Sequence, residues 1–440
     1  MSSILLIKNG TVIVGAEIEL RRADILIKDG RIVEVADNIT PTEKSSVIDA
    51  TDRLVSPGFI QTHVHLCQTL FRGSADDLDL LDWLRTRIWP MEAAHIPESL
   101  AASARLSVAE MIKGGTTAAL TMETVRYTEA VLEAVEATGF RATIGKCMMD
   151  KGQGVPAGLQ EQTARSIEEA MQLMKAWQDR SERVRYCFAP RFAVSCTREL
   201  LEEVARVAAK TGTIVHTHAS ESHREIEIVE AETGYRNIVY LDKVGLSGKN
   251  VALAHCIFVD EREINLLAET GTHVMHCPSS NLKLGSGVAP VHEMLERGVS
   301  VSLGADGAAC NNNLDVFIEM RQAALLQKMR KGPEALPARE AFRLATIGGA
   351  RTLGLEQELG TIEVGKRADI VILNLEQLHC APAPDPLSTL VYAARSMDVE
   401  TVIIDGQVMM RDRVLLALDE REIRETAKRE YKALIERAGI

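Results

Sequence analysis

Eight short apolar runs, most of them separated by helix-like stretches, dominate the middle of this sequence and leave few folds open to it. The runs are GFIQTHVH (58–65), TTAALTM (116–122), RATIGKCM (141–148), VRYCFAPR (184–191), TIVHTHASE (213–221), NVALAHC (250–256), HVMHCP (273–278) and VSVSLGADG (299–307). Between them lie segments such as PESLAASARLSVAEMIKGG, TRELLEEVARVAAKTG and DEREINLLAETG. The last two close on Thr-Gly, with glycine placed to end a helix in the left-handed conformation. Strands buried on both faces read as apolar runs, and strands alternating with helices build parallel sheets. Eight such units over roughly 250 residues or more predict an α/β fold, a (β/α)8 TIM barrel. Its expected span is residues 56–357. A doubly wound sheet is the alternative, but no GxGxxG follows an early strand.

The two ends are written in another style. ILLIKNGTVIV and ADILIKDGRIVEVA near the start, and TIEVGKRADIVILN and VETVIIDGQVMM near the end, are strand-like. Their Asn-Gly and Asp-Gly pairs predict hairpin turns. Either end alone supplies too few strands to bury a face. Residues 1–55 and 358–440 are therefore expected to share one small β-sandwich domain, with a charged amphipathic helix, DEREIRETAKREYKALIERAG, closing the chain.

Composition narrows the function. Hydrophobic residues are 46% and charged residues 25% of the 440, ordinary for a soluble protein with a sizeable core. A net charge of -12 disfavours nucleic acid, whose binding needs Lys and Arg to displace counterions. It leaves a small-molecule substrate open. The opening MSSILLIKNGTVIVG has no basic region followed by an unbroken apolar stretch, so neither a signal peptide nor a membrane span is expected, and the cytoplasm is the expected compartment. Eight cysteines (67, 147, 187, 196, 256, 277, 310 and 380) form no CxxC pair and are expected to be reduced, buried thiols.

Polar residues gather where the barrel strands should end, which is where TIM-barrel enzymes place catalysis. The first run ends in His63-Val64-His65, and a spacing of two puts both imidazoles on one face of a strand. The fifth carries His216 and His218, followed by Glu221; the sixth ends in His255; the eighth reaches Asp306. A single histidine here would be an ordinary hydrogen-bonded core residue. Several at successive strand ends, with an aspartate completing the set, are costly to bury without a ligand. Three neutral imidazoles and one carboxylate suit Zn²⁺, with Fe²⁺ as the second choice. Such an ion would activate a water molecule. Asp306 can take the first proton, Glu221 can carry protons between water, ring and leaving ammonia, and His255 can hydrogen-bond the attacking oxygen.

QTHVH, HTHASE, ALAHC and SLGADG, together with the tail motif VGKRADIVIL, resemble the amidohydrolase superfamily nearly end to end, and the set is similar to its mononuclear deaminase branch. The resemblance implies one divalent ion per chain on His63, His65, His218 and Asp306, Glu221 as proton shuttle, and His255 beside the reacting centre. Lys146 ends a strand, and the deaminase-like pattern implies a substrate or supporting role for it rather than that of a bridging carbamate. Relatives are often dimers or larger, which implies a homo-oligomer.

Two substrate signals compete. PGFIQTHVHLCQTLFRGSADDLDLLDWL, IWPMEA, HCPSSNLKLGSGVAPV and GADGAACNN resemble methylthioadenosine/S-adenosylhomocysteine deaminases, with parts shared by triazine hydrolases. In the nucleoside enzymes a glutamate at the position of Glu92 is expected to meet the ribose. Those enzymes carry a PHS-like stretch where this chain has Pro190-Arg191-Phe192, and Ser where it has Cys310. IGKCMMD, APRFAVSC and Gln68 resemble guanine deaminases instead, where the Arg-Phe pair and the glutamine contact the base. A purine offers a planar face to Phe192, and acceptors to the fork of Arg191. The expected reaction is therefore guanine plus water to xanthine plus ammonia. The alternatives are deamination of methylthioadenosine, S-adenosylhomocysteine or 5′-deoxyadenosine, and hydrolysis of a triazine or aminopyrimidine. A scaffold on this fold without activity should lack a metal ligand, and this chain has them all.

Overall fold

The computed structural model describes residues 4–42 and 45–440. Residues 1–3 and 43–44, part of the stretch assigned above to the N-terminal strands, lie outside the described residues. The chain divides into two compact units, one drawn from residues 1–61, 109–118 and 315–420, the other from 62–108, 119–314 and 421–440.

The first unit holds a nine-stranded sheet built from both ends of the chain. The strand Leu54–Pro57 joins them: it runs parallel to Ile4–Val14 and antiparallel to Ile370–Leu373. Ile7, Val12, Ile25, Val55, Ile370 and Ile403 meet in one buried apolar cluster. Asp29-Gly30 and Asp405-Gly406 each turn a hairpin, as their sequences predict. Asn9-Gly10 does not. The strand Ile4–Val14 runs straight through it, with a bulge that shifts register between Ile7 and Gly10. Asn9 takes φ 65° and donates its N–H to Asp24 Oδ1 at 2.8 Å, so a side chain supplies the partner the ladder omits. Gly10 is required there because a Cβ would come within 2.6 Å of Val55 Cγ2.

All eight middle runs form strands of one parallel sheet: β1 Phe59–His65, β2 Thr116–Met122, β3 Arg141–Met148, β4 Val184–Pro190, β5 Val215–Ala219, β6 Val251–His255, β7 His273–His276 and β8 Val301–Leu303. The eighth run breaks after Leu303 and resumes at Asp306–Gly307. Its first piece pairs with β7 and its second with β1, Asp306 opposite Val64 and Gly307 opposite His65. One run thus touches both edges of the sheet and closes it. The helices Arg198–Thr211 and Glu261–Thr270 end on Gly212 and Gly271 with φ 71° and 74°, the expected left-handed caps. The terminal helix Glu420–Ala438 belongs, from Arg421 on, to the second unit. It adds Ala427 and Leu434 to the cluster that includes Trp83, Met91 and Phe192. All eight cysteines are buried free thiols. Among the described residues no helix is long and apolar enough to cross a membrane.

Candidate active site

Strand periodicity sends His63 and His65 of β1 to the same side, with ring centroids 4.9 Å apart, and His218 of β5 stacks within 5.4 Å of His65. At the strand ends the backbone takes up left-handed angles that non-glycine residues rarely adopt: Ser220 φ 55°, His255 φ 72°, Cys256 φ 46° and Asp306 φ 62°. Each costs on the order of 1–3 kcal/mol, and such strain is tolerated where it aims a side chain.

Each imidazole is fixed from behind through Nδ1. His65 Nδ1 meets the Met122 carbonyl at 2.7 Å, His218 Nδ1 the Arg191 carbonyl at 2.6 Å, His255 Nδ1 the Asn281 carboxamide oxygen at 2.8 Å, and His63 Nδ1 lies 2.6 Å from His216 Nε2. A neutral ring donating through Nδ1 keeps a lone pair on Nε2. The Nε2 atoms turn toward Asp306: Oδ1 lies 3.2 Å from His63 Nε2 and 3.1 Å from His65 Nε2, and Oδ2 lies 3.9 Å from His255 Nε2. The Nε2 atoms of His63 and His255 are buried with no hydrogen-bond partner. Ligand atoms of His63, His65 and His218, and again of His63, His255 and Asp306, lie within 4.8 Å of one another. This donor set, with orphaned nitrogens facing inward, fits a divalent cation.

Electrostatics agree with that reading at His63 and His218, whereas at His65 burial is outweighed by the adjoining Asp306, which raises that imidazole. Burial pushes the His63 pKa down to about 4 and His218 well below the usual range, so both rings are neutral ligands at pH 7. Burial opposes the charge of Asp306, yet His63 and His65 beside it hold its carboxyl well below the ordinary value. Glu221 is different. Burial raises it to about 7, partly offset by His255, whose Nε2 is 3.5 Å from Oε2. A carboxyl that titrates near neutrality can both accept and return a proton.

Around this cluster lies a pocket, and His65, His218, Glu221, His255 and Asp306 form part of its wall. Gln68, Arg191 and Phe192 also line it, with Leu80, Trp83, Leu84 and Leu284. Three of the residues singled out above do not line it: His63, which is fully buried, Lys146 and Glu92. Lys146 alternates onto the outer side of β3, where its ammonium makes a buried ion pair with Glu161 Oε1 at 2.6 Å and lies 4.0 Å from Glu169 on the helix Thr163–Trp177. Glu92 is buried behind the wall, with its carboxylate held by Arg191 and Gln68. Conversely, the spacing of the histidines gave no sign of Ser280 and Asn281. Both sit on the short helix Pro278–Lys283, where Ser280 Oγ donates to Asp306 Oδ2 at 2.7 Å while Asn281 holds His255. Their signal lies in HCPSSNLKLG, whose serine and asparagine follow β7. Trp83 likewise lies in LDLLDWL.

The profile described as "Amidohydrolase family" matches residues 54–409. A 5′-deoxyadenosine deaminase of Methanothermobacter thermautotrophicus is 43% identical over 411 residues, 93% of this chain and 94% of that protein. A 5-methylthioadenosine/S-adenosylhomocysteine deaminase of Thermococcus onnurineus is 43% identical over 413 residues, 93% of this chain and 95% of that one. Among solved structures, an adenosine deaminase from Xanthomonas campestris with bound zinc superposes with a TM-score of 0.91 at 34% identity, covering 98% of each chain. A guanine deaminase from C. acetobutylicum with bound guanine gives a TM-score of 0.84 at 27% identity, covering 93% of this chain and all of that one. The preference for guanine over adenosine-type substrates therefore runs against the nearer similarities, because Arg191 and Phe192 are two positions while the resemblance to the nucleoside enzymes extends over the whole chain. The chain belongs to the amidohydrolase family, whose members are metal-dependent, and is a hydrolase of C–N bonds.

Proposed function

We propose that this protein deaminates adenosine-type nucleosides modified at the 5′ position, 5′-deoxyadenosine or methylthioadenosine among them, replacing the ring amino group by oxygen from water and releasing ammonia. The carrying observation is a single pocket in which the histidine–carboxylate cluster and Glu221 share a wall with Leu80, Trp83, Leu84 and Leu284. The cluster suits the polar purine end and the apolar side suits an uncharged 5′ substituent. Near-full-length similarity to deaminases of such nucleosides supports the same choice.

His63, His65, His218 and Asp306 would hold one ion, zinc ahead of iron, in a chain that assembles as a homo-oligomer. Such an ion would supply Lewis acidity and make a bound water more acidic. Glu221 would receive a proton and pass it to the ring nitrogen and the departing amine, His255 would stand beside the oxygen that adds to the ring, and Phe192 would offer a flat face to the base. Guanine is the second reading, favoured by Gln68, Arg191 and Phe192 together on the pocket wall. Ammonia release from 5′-deoxyadenosine, methylthioadenosine, S-adenosylhomocysteine, guanine, cytosine and melamine decides between them. The proposal expects the largest kcat/KM for a 5′-modified adenosine. A larger value for guanine overturns it.

A further inference from the structure

Glu92 stands where the nucleoside enzymes are expected to hold a ribose, yet both of its oxygens are engaged inside the protein. Oε2 accepts from Arg191 Nη1 at 2.6 Å; Oε1 accepts from Arg191 Nη2 at 3.2 Å and from Gln68 Nε2 at 2.9 Å. Glu92 is 3% exposed and absent from the pocket wall, whereas Arg191 and Gln68 are part of that wall. A guanidinium gripped by two parallel bonds has one orientation, and its remaining N–H groups are fixed in place. Gln68 is oriented by the same carboxylate: an ionised glutamate only accepts, so the amide nitrogen must face it and the carbonyl oxygen must face away. That oxygen, Oε1, is buried without a partner, and a side chain at Gly307 would overlap it. The glycine of the GADG motif therefore makes room for the carboxamide, and the orphaned oxygen calls for a donor.

We propose that Glu92 is a positioning residue that does not touch the substrate. It locks Arg191 and Gln68 side by side, so that the pocket presents N–H donors next to one acceptor oxygen. The edge so recognised is neutral, because Glu92 already compensates the guanidinium, and it carries a hydrogen-bond acceptor beside an N–H or O–H donor. A ring nitrogen flanked by a sugar hydroxyl has that pattern, and so does a lactam. The inference rests on the proposed deaminase reading for the existence of a ring substrate, and it departs from a direct ribose contact by Glu92.

The test is a double-mutant cycle on the metal-loaded enzyme. It uses Glu92→Ala, Glu92→Gln, Arg191→Ala and Glu92→Ala/Arg191→Ala, assayed by ammonia release from 5′-deoxyadenosine, adenine and guanine. Glu92→Ala should lower kcat/KM by roughly tenfold or more, through KM rather than kcat, for every substrate the wild type accepts, with or without ribose. Glu92→Gln should lose less. The double variant should fall within about threefold of Arg191→Ala, because residues acting as a unit are not additive. A loss confined to the ribose-bearing substrate, or losses that multiply in the double variant, overturns the proposal. If the wild type deaminates none of these compounds, the substrate reading has failed. The anchor is then read from Tm, where Arg191→Ala should be rescued by adding Glu92→Gln, and additive Tm losses reject it.

Discussion

Glu221 and Glu123 show how one residue type takes two roles from its surroundings. Both are buried, and burial raises each to about 7. Glu221 faces His255 across the pocket, so replacing it by glutamine keeps the shape and removes the proton carrier. Metal content should stay at the wild-type level while kcat falls by roughly 10²–10⁴; near-normal turnover would remove Glu221 from the proton path. Glu123 directly follows β2 and accepts the N–H of Cys67 at 2.9 Å, with its other oxygen buried and unpartnered. Its carboxyl is raised from 4.5 to about 7 in the fold. Its contribution to stability is therefore complete below about pH 4.5 and is lost as pH rises through about 7. Glu123→Gln cannot titrate. Tm measured for both proteins at pH 5 and pH 8 should show the variant gaining on the wild type at the higher pH, and a gap that does not change with pH would contradict this. The sequence displayed His63, His65, His218 and Asp306, the proposed ligands, because a metal set needs particular residue types at strand ends. It did not display Glu92 as a buried anchor, since a glutamate in a helix looks the same whether it faces a ligand or an arginine 99 positions away.

Among the elements, the interrupted eighth strand carries the most consequence. Its first piece continues the ladder from β7 and its second brings Asp306 beside Val64 of β1. Gly304 lies in the break, where a Cβ would stand 2.6 Å from the His63 carbonyl oxygen and 2.8 Å from its backbone nitrogen. Gly304→Ala should push the two pieces apart. A stability loss of roughly 1–3 kcal/mol by denaturant unfolding is expected, the usual cost of overpacking, together with weaker metal retention. Unchanged unfolding and metal content would mean that the closure tolerates the shift. The helix Pro278–Lys283 acts as a clamp, Ser280 on Asp306 and Asn281 on His255. Asn281→Leu removes the acceptor at similar size and should cost about 10- to 100-fold in kcat, whereas Asn281→Asp, which keeps an acceptor, should retain more. Equal losses in the two variants would show that packing, not the hydrogen bond, matters there.

At the scale of the whole molecule, the histidine–carboxylate cluster joins distant parts of the chain: His63 and His65 on β1, His218 on β5, His255 on β6 and Asp306 after β8. Without a cation these groups are a buried, partly unpaired polar core, which is expensive. Stripping the metal with a chelator should abolish ammonia release and lower Tm, and adding back about one equivalent of Zn²⁺ or Fe²⁺ should restore both. Elemental analysis giving two tightly bound ions per chain would contradict a single-ion centre, and activity that survives full metal removal would contradict the ligand set itself.

The sequence by itself determined the strands and the chemistry. Fully buried strands must be apolar throughout, and ligands must be histidine and carboxylate, so eight runs and their polar ends could be read directly from residue type and period. Asp29-Gly30 fixed a hairpin in the same local way. Asn9-Gly10, with the same local signal, became a bulge because Asp24 and Val55, distant in sequence, decided what it could pair with and how closely it could pack. Lys146 turned outward to Glu161 and Glu92 inward to Arg191 for a like reason: the partner that satisfies a buried charge is chosen by the fold, and no spacing along the chain records it.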